Sequence, residues 1–214
     1  AFAYCENMEL LADDVPNLAG VGSLERMFIG TKKFDQDISD WDVSSATNMH
    51  SMFSNGIFNQ DIGEWDVSSV TTMKYMFMAS SSFNKYIGDW NVGNVTIFHG
   101  MFAWSIFNKD ISEWDVSSAT TMQTLFFSAR AFNQDISDWN VSSVTDMTNA
   151  FGSAHVFDQN ISKWDFGKTN SINGFINKSG LSEENHKSLK TKLQGHSQIN
   201  IIGTPCYVPD ANCS

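Results

Sequence analysis

No apolar run in the sequence approaches the roughly 18–20 residues that a helix needs to cross a bilayer, and no basic stretch followed by an apolar one opens the chain. Basic side chains are scarce: 13 Lys and Arg stand against 24 Asp and Glu, for a net charge of −11. That balance argues against nucleic acid or an anionic membrane as partner, because both would repel it. No Gly-x-Ser-x-Gly, phosphate-binding loop, Gly-x-Gly-x-x-Gly or compact Asp-rich calcium loop occurs. The five histidines (His50, His99, His155, His186, His196) lack the spacing of a metal site. His50 and His99 each follow an inward Met or Phe, so they are expected on the solvent side. The chain begins at Ala1 and not Met, and the expectation drawn from that start is a removed leader and secretion.

Cysteine is limited to Cys5, Cys206 and Cys213. The last two bracket the short loop CYVPDANC and are expected to close a disulfide in an oxidising compartment; in a reducing one they are free thiols.

Aromatic residues, by contrast, are plentiful: 17 Phe and 7 Trp in a chain that is 42% apolar. This composition excludes disorder and suffices for a continuous core in one domain.

The dominant feature is a repeat. FDQDISDWDVSSATNM begins at Phe34, and variants of it begin at Phe58, Phe83, Phe107, Phe132 and Phe157, spaced 24, 25, 24, 25 and 25 residues apart. A fixed period in this range is the signature of a stack in which one repeat cannot bury its apolar face alone. Apolar residues align in columns: the leading Phe; Ile38, Ile62, Ile87, Ile111, Ile136 and Ile161; Trp41, Trp65, Trp90, Trp114, Trp139 and Trp164; then Val43 and its equivalents, with Phe166 last. Alternation in Asp40-Trp41-Asp42-Val43-Ser44 predicts a short strand with Trp and Val inward. Apolar steps of three in Ala46, Met49, Met52 and Phe53 predict a short helix or 3₁₀ turn, capped by the preceding serines. The expected fold class is therefore an α/β repeat solenoid, leucine-rich-repeat-like, with one short parallel strand plus one short helix or 3₁₀ turn per 24–25-residue coil. Caps are expected at both ends. Residues 1–33 form an N-terminal cap with a degenerate first repeat, 34–178 six tandem repeats, and 179–214 a cap helix and Cys-bearing tail. LSEENHKSLKTKLQ supplies that helix, with Ser182 as its cap and Leu189 and Leu193 facing the last repeat.

The phrase Phe-Asn-Gln-Asp-Ile-Ser-x-Trp-Asp-Val-Ser-Ser-Val-Thr-x-Met, followed by Met-Phe, resembles the BspA-like leucine-rich repeat surface proteins and the mycoplasma-type surface lipoprotein repeat of roughly 25 residues. The likeness spans about residues 18–178, and SGLSEENH at 179–186 is similar to the segment that follows the last repeat in that family. The resemblance implies an extracellular or cell-surface protein used in adhesion or in binding host or matrix proteins, with no enzymatic activity and no catalytic residues to carry over.

Two outward columns are acidic: Asp40, Glu64, Asp89, Glu113 and Asp138, ending on Lys163; and Asp42, Asp66 and Asp115, with Asn91 and Asn140 between them and Asp165 last. Stacked carboxylates about 5 Å apart repel by on the order of 1–3 kcal/mol per pair before screening. Calcium bridging would offset this; so would hydrogen bonds to nearby backbone N–H and serine hydroxyl groups. The column Asp35, Asn59, Asn84, Asn108, Asn133 and Asp158 is expected to form a structural hydrogen-bonded ladder. After the Met-Phe pair, where other repeats are small or polar, three consecutive repeats carry Met78, Trp104 and Phe127, a candidate contact patch. Tyr86, which replaces an acid, is expected to join it; the alternative is that these side chains fill grooves between repeats. Glycosylation sequons fall at Asn94, Asn140, Asn160, Asn177 and Asn212.

Together these features predict a non-enzymatic surface protein that recognises a protein or glycan partner through a rigid acidic face and a patterned edge. The competing expectation is a component that self-assembles into a layer, filament or larger complex. One repeat per roughly 4.8 Å would set Cys5 roughly 30 Å from the tail, too far for an intrachain disulfide, so Cys5 or the loop edge could serve a homo-oligomer.

Overall fold

A computed structural model describes residues 2–5, 15–197 and 202–206. The inward columns are where alternation put them: the leading Phe, Ile, Trp and Val columns are all buried, and they join one core cluster that extends from Leu18 to Ile202. A second Phe column, Phe28, Phe53, Phe77, Phe102, Phe126 and Phe151, stacks on the leading one. Each ring of this column lies 3.8–4.3 Å, centroid to centroid, from the leading Phe that opens the following repeat.

The backbone is not the expected α/β solenoid. Among the described residues there is one α-helix, at the C-terminal end, and no sheet; each repeat contributes only an isolated parallel bridge, along Ser23, Asn48, Thr72, Ile97, Thr121, Asp146 and Ser171. The remainder is turn and loop. No backbone hydrogen bond joins the Asp40–Ser44 segment to the equivalent segments of its neighbours. Side chains make the connection there instead. Each Trp indole N–H, from Trp65 to Trp164, donates to the carbonyl of the Ile one repeat earlier at 3.0–3.1 Å.

The segment expected to be helical carries the contacts between repeats. The N–H groups of Met49, Ser51, Phe53 and Asn55 donate to the carbonyls of Thr72, Lys74, Met76 and Met78, while those of Met52 and Ser54 turn back to Met49 and Ser51. Alternate donors thus serve the next repeat and the same one, and none is orphaned. The cause lies in the dihedrals. Ser51 and Asn55 have φ of 56° and 58°, and the same two positions are left-handed in every later repeat: Tyr75 and Ala79, Gly100 and Trp104, Thr124 and Ser128, Asn149 and Ser153, Gly174 and Lys178. A left-handed residue every four positions interrupts both an extended strand and a right-handed helix. It suits a turn such as 49–52, closed by Met52 N–H on the Met49 carbonyl with Ser51 third.

A threonine column locks the register. In Thr71, Thr96, Thr120 and Thr145, both the N–H and the hydroxyl donate to the carbonyl of the preceding Thr, and Thr47 makes the same pair with Gly22.

Both ends of the ladder are continued by short segments. Phe2 and Tyr4 N–H donate to Met27 and Ile29 at 2.7 Å, and Ile176 and Lys178 N–H donate to Ile202 and Thr204 at 2.8 Å. Helix α1, Glu183–Lys192, follows the last repeat as its amphipathic pattern predicts. Ser182 is its N-cap, Glu183 and Glu184 lie at its positive end, Lys190 and Lys192 at its negative end, and Leu189 and Leu193 are buried.

Candidate functional site

The two acidic columns emerge on one exposed side, because Trp and Val take the inward places between them. They differ in how they are engaged. The Asp42 column bends back on its own backbone: Asp42, Asp66 and Asp115 accept from the N–H of Ser44, Ser68 and Ser117 at 3.0–3.1 Å. Asn91, Asn140 and Asp165 do the same two residues on. Hydrogen bonds from the Ser44, Ser68 and Ser117 hydroxyls and N–H groups hold these three aspartates below the ordinary carboxylate value. A third acidic column, Asp37, Asp61, Asp110 and Asp135, caps turns in the same way through Ser39, Gly63, Ser112 and Ser137.

Asp40, Glu64, Asp89, Glu113 and Asp138 are exposed. Asp138 pairs with Lys163 at 2.6 Å on the open surface, where such a pair is worth little. Asp110, Glu113, Asp135 and Asp138 converge, with Ser112 and Ser137, on a shallow polar cleft of about 300 Å³ between two repeats. Among the described residues no group of three or more His, Cys, Asp or Glu is placed to hold a metal ion. The carboxylates of the Asp42 column offset their repulsion through serine.

Of the expected apolar patch, the structure brings together Trp104 and Phe127. Trp104 N–H donates to the Phe127 carbonyl, and the rings meet edge to face with centroids 5.1 Å apart. Phe127 lies over Gly152, where an added Cβ would be 3.0 Å from the ring. Met78 occupies the Phe127 column two repeats earlier, with the buried Ala103 between them. Tyr86 goes elsewhere: its hydroxyl donates to Asp89 at 3.1 Å, and that bond, together with Asp89, Asp110 and Glu113, holds the phenol above its ordinary value. It belongs to the acidic side. The left-handed backbone at Trp104 costs roughly 1–2 kcal/mol for a residue with a Cβ, and the residue remains 45% exposed.

One cluster has no counterpart in the sequence reading. Tyr75 donates to or accepts from His99 Nε2 at 2.8 Å, the His50 ring is tilted by 44° with its centroid 5.9 Å from that of Tyr75, and the Lys74 ammonium sits 5.2 Å from the Tyr75 ring centre. Glu25 approaches His50 at 3.5 Å. These histidines are half-buried, not on the open solvent side, and burial holds both below the ordinary imidazole value. The available signal was positional: His50, Lys74 and His99 share one column, and Tyr75 follows Lys74 directly.

Cys206 is disulfide-bonded and Cys5 is an exposed free thiol, while Cys213 and Asn212 lie outside the described residues. Asn94, Asn140, Asn160 and Asn177 are exposed, but the Asn94 amide already donates to the Ser68 carbonyl at 2.8 Å. Among the described residues no helix is long and apolar enough to cross a membrane.

One family model, described as Mycoplasma protein of unknown function, DUF285, matches the chain twice, over residues 1–106 and 94–189. No curated protein and no solved structure matches it.

Proposed function

The chain belongs to this mycoplasma family of tandem-repeat proteins, and from that premise we propose that it is a non-enzymatic recognition module of the cell surface or extracellular space. Its rigid stack of repeats presents side chains to a protein or glycan partner. The observation that carries this reading is that the repeated polar groups already serve the stack. The Thr, Asn and Trp columns bond to neighbouring repeats and the Asp42 column to its own turns, which leaves the departures from the repeat, such as Trp104, to distinguish one partner from another. The disulfide at Cys206 supports an oxidising compartment. The narrower kinship with BspA-like surface proteins rests on the motif that begins at each leading Phe.

A second reading, assembly of copies, is favoured by one observation: the exposed thiol of Cys5 closes the segment that ends the backbone ladder. Light scattering over a concentration series, with and without reductant, separates the two when run beside a panel of immobilised matrix proteins and glycans. The expected result is a mass near 23.9 kDa throughout and saturable binding to a member of the panel. A mass that rises with concentration, or a dimer lost on reduction, with nothing bound from the panel, would replace recognition with assembly.

A further inference from the structure

Six of the seven tryptophans form the buried column, with 2–7% of each exposed; Trp104 alone stands out, at 45%. It occupies a left-handed position that other repeats fill with Gly30, Asn55, Ala79, Ser128, Ser153 and Lys178, so the fold does not require a tryptophan there. Ala79 and Ser128, its neighbours in that column, are small. The ring packs edge to face with Phe127, itself seated on Gly152. A side chain fixed in this way loses little conformational freedom when a ligand covers it.

The surroundings differ from the rest of the chain. The segments that run from the second Phe column to the leading Phe (53–58, 77–83, 102–107, 126–132 and 151–157) contain no Asp or Glu, whereas the whole chain carries 24. Arg130 and His155 lie within them, and Arg130 N–H bonds to the Ser105 carbonyl, one residue from Trp104. A ligand can therefore cover Trp104 without stripping water from a carboxylate, which would be unfavourable.

Size narrows the occupant. A tryptophan buries at most about 250 Å², so its exposed part and the Phe127 edge offer on the order of 200 Å². A stable protein interface needs about 800 Å² on each side. The fitting partner is one that presents a small, flat, apolar face bordered by hydroxyl groups, as the C–H face of a pyranose ring does.

We propose that the Trp104–Phe127 edge is a carbohydrate-binding ledge on which a pyranose unit of a glycan stacks. This names the ligand class for the recognition reading above and rests on it.

Acrylamide quenching of tryptophan fluorescence reads the site directly, because the other six indoles are buried. The probes are chitohexaose, cellohexaose and a hyaluronan hexasaccharide, followed by a broad glycan array. At least one glycan is expected to protect the quenchable fraction saturably. Trp104→Ala should weaken that glycan's binding about tenfold or more with an unchanged thermal midpoint, and Phe127→Ala should weaken it less. The proposal is overturned if no glycan binds, or if glycan binding survives Trp104→Ala. Should an immobilised protein bind instead and be lost in Trp104→Ala, the glycan assignment fails while the recognition reading stands. Absence of any binder, with self-association, sinks both.

Discussion

Asn108 shows how one side chain holds two repeats together. Its Oδ1 accepts from Asn133 N–H at 3.0 Å and from Gln134 Nε2 at 2.8 Å, and its own N–H donates to Asn84. Asn108→Ala removes the acceptor that Asn133 N–H and Gln134 Nε2 share, at a cost of about 0.5–1.5 kcal/mol for each bond. Asn108→Asp keeps it, as Asp35 and Asp158 do at the ends of the same column, and is expected to cost less; urea unfolding that ranks the two equally would refute the ladder. The His50–Tyr75–His99 row makes a prediction about pH. Burial first holds both histidines below 6.5; Lys74 pushes both further down, Arg26 also lowers His50 and His50 lowers His99, while Glu25 and Asp146 oppose. The unfolded chain therefore binds more protons as pH falls below 6.5. Their stabilisation is complete above that value and is lost as pH drops from it through the folded values. The urea midpoint should fall between about pH 7.5 and pH 5.5, and fall less in the double variant His50→Gln/His99→Gln. His186, also depressed by burial, would retain part of the slope. An identical slope in both proteins would exclude this row as its source.

A single repeat works as an element because its left-handed positions let alternate N–H groups face opposite ways. Gly100 tests this. Its φ is +61°, and an added Cβ would lie 2.5 Å from the Tyr75 ring. Gly100→Ala should cost at least about 1–2 kcal/mol from backbone strain, and more as Tyr75 is pushed from His99. Ser51→Gly, at the equivalent left-handed place, should be closer to neutral because glycine adopts that conformation readily. Chemical denaturation of the two variants checks the ranking. The inward faces of the repeat were legible because Trp41 and Val43 alternate with acids, and that alternation is local. The pairing mode was not legible. The left-handed column reads Ser51, Tyr75, Gly100, Thr124, Asn149 and Gly174, with no common residue type to announce a positive φ. The threonine column could have been found, since Thr47, Thr71, Thr96, Thr120 and Thr145 recur in five consecutive repeats before Asn170 replaces them in the sixth.

Across the whole molecule, each repeat touches only its neighbours, so damage at one end should stay there. Leu189 on α1 is fully buried against the stack. Leu189→Ala should cost about 2–5 kcal/mol and open the C-terminal repeats first. Hydrogen exchange is expected to quicken at Phe151 and Phe175 while Met52 and Phe53 stay protected. Uniform loss of protection along the chain would mean that the stack unfolds as one unit.

The amino-acid sequence by itself determined the period, the inward columns, the place of α1 and its Ser182 cap, because these follow from local alternation and spacing. Only the tertiary structure decided that the N–H groups of 49–55 reach the next repeat instead of closing a helix. That competition is settled by Phe and Trp columns that stack across repeats and hold the donors opposite their acceptors. The same stacking set Trp104 against Phe127, since residues 23 positions apart become neighbours only when successive repeats align.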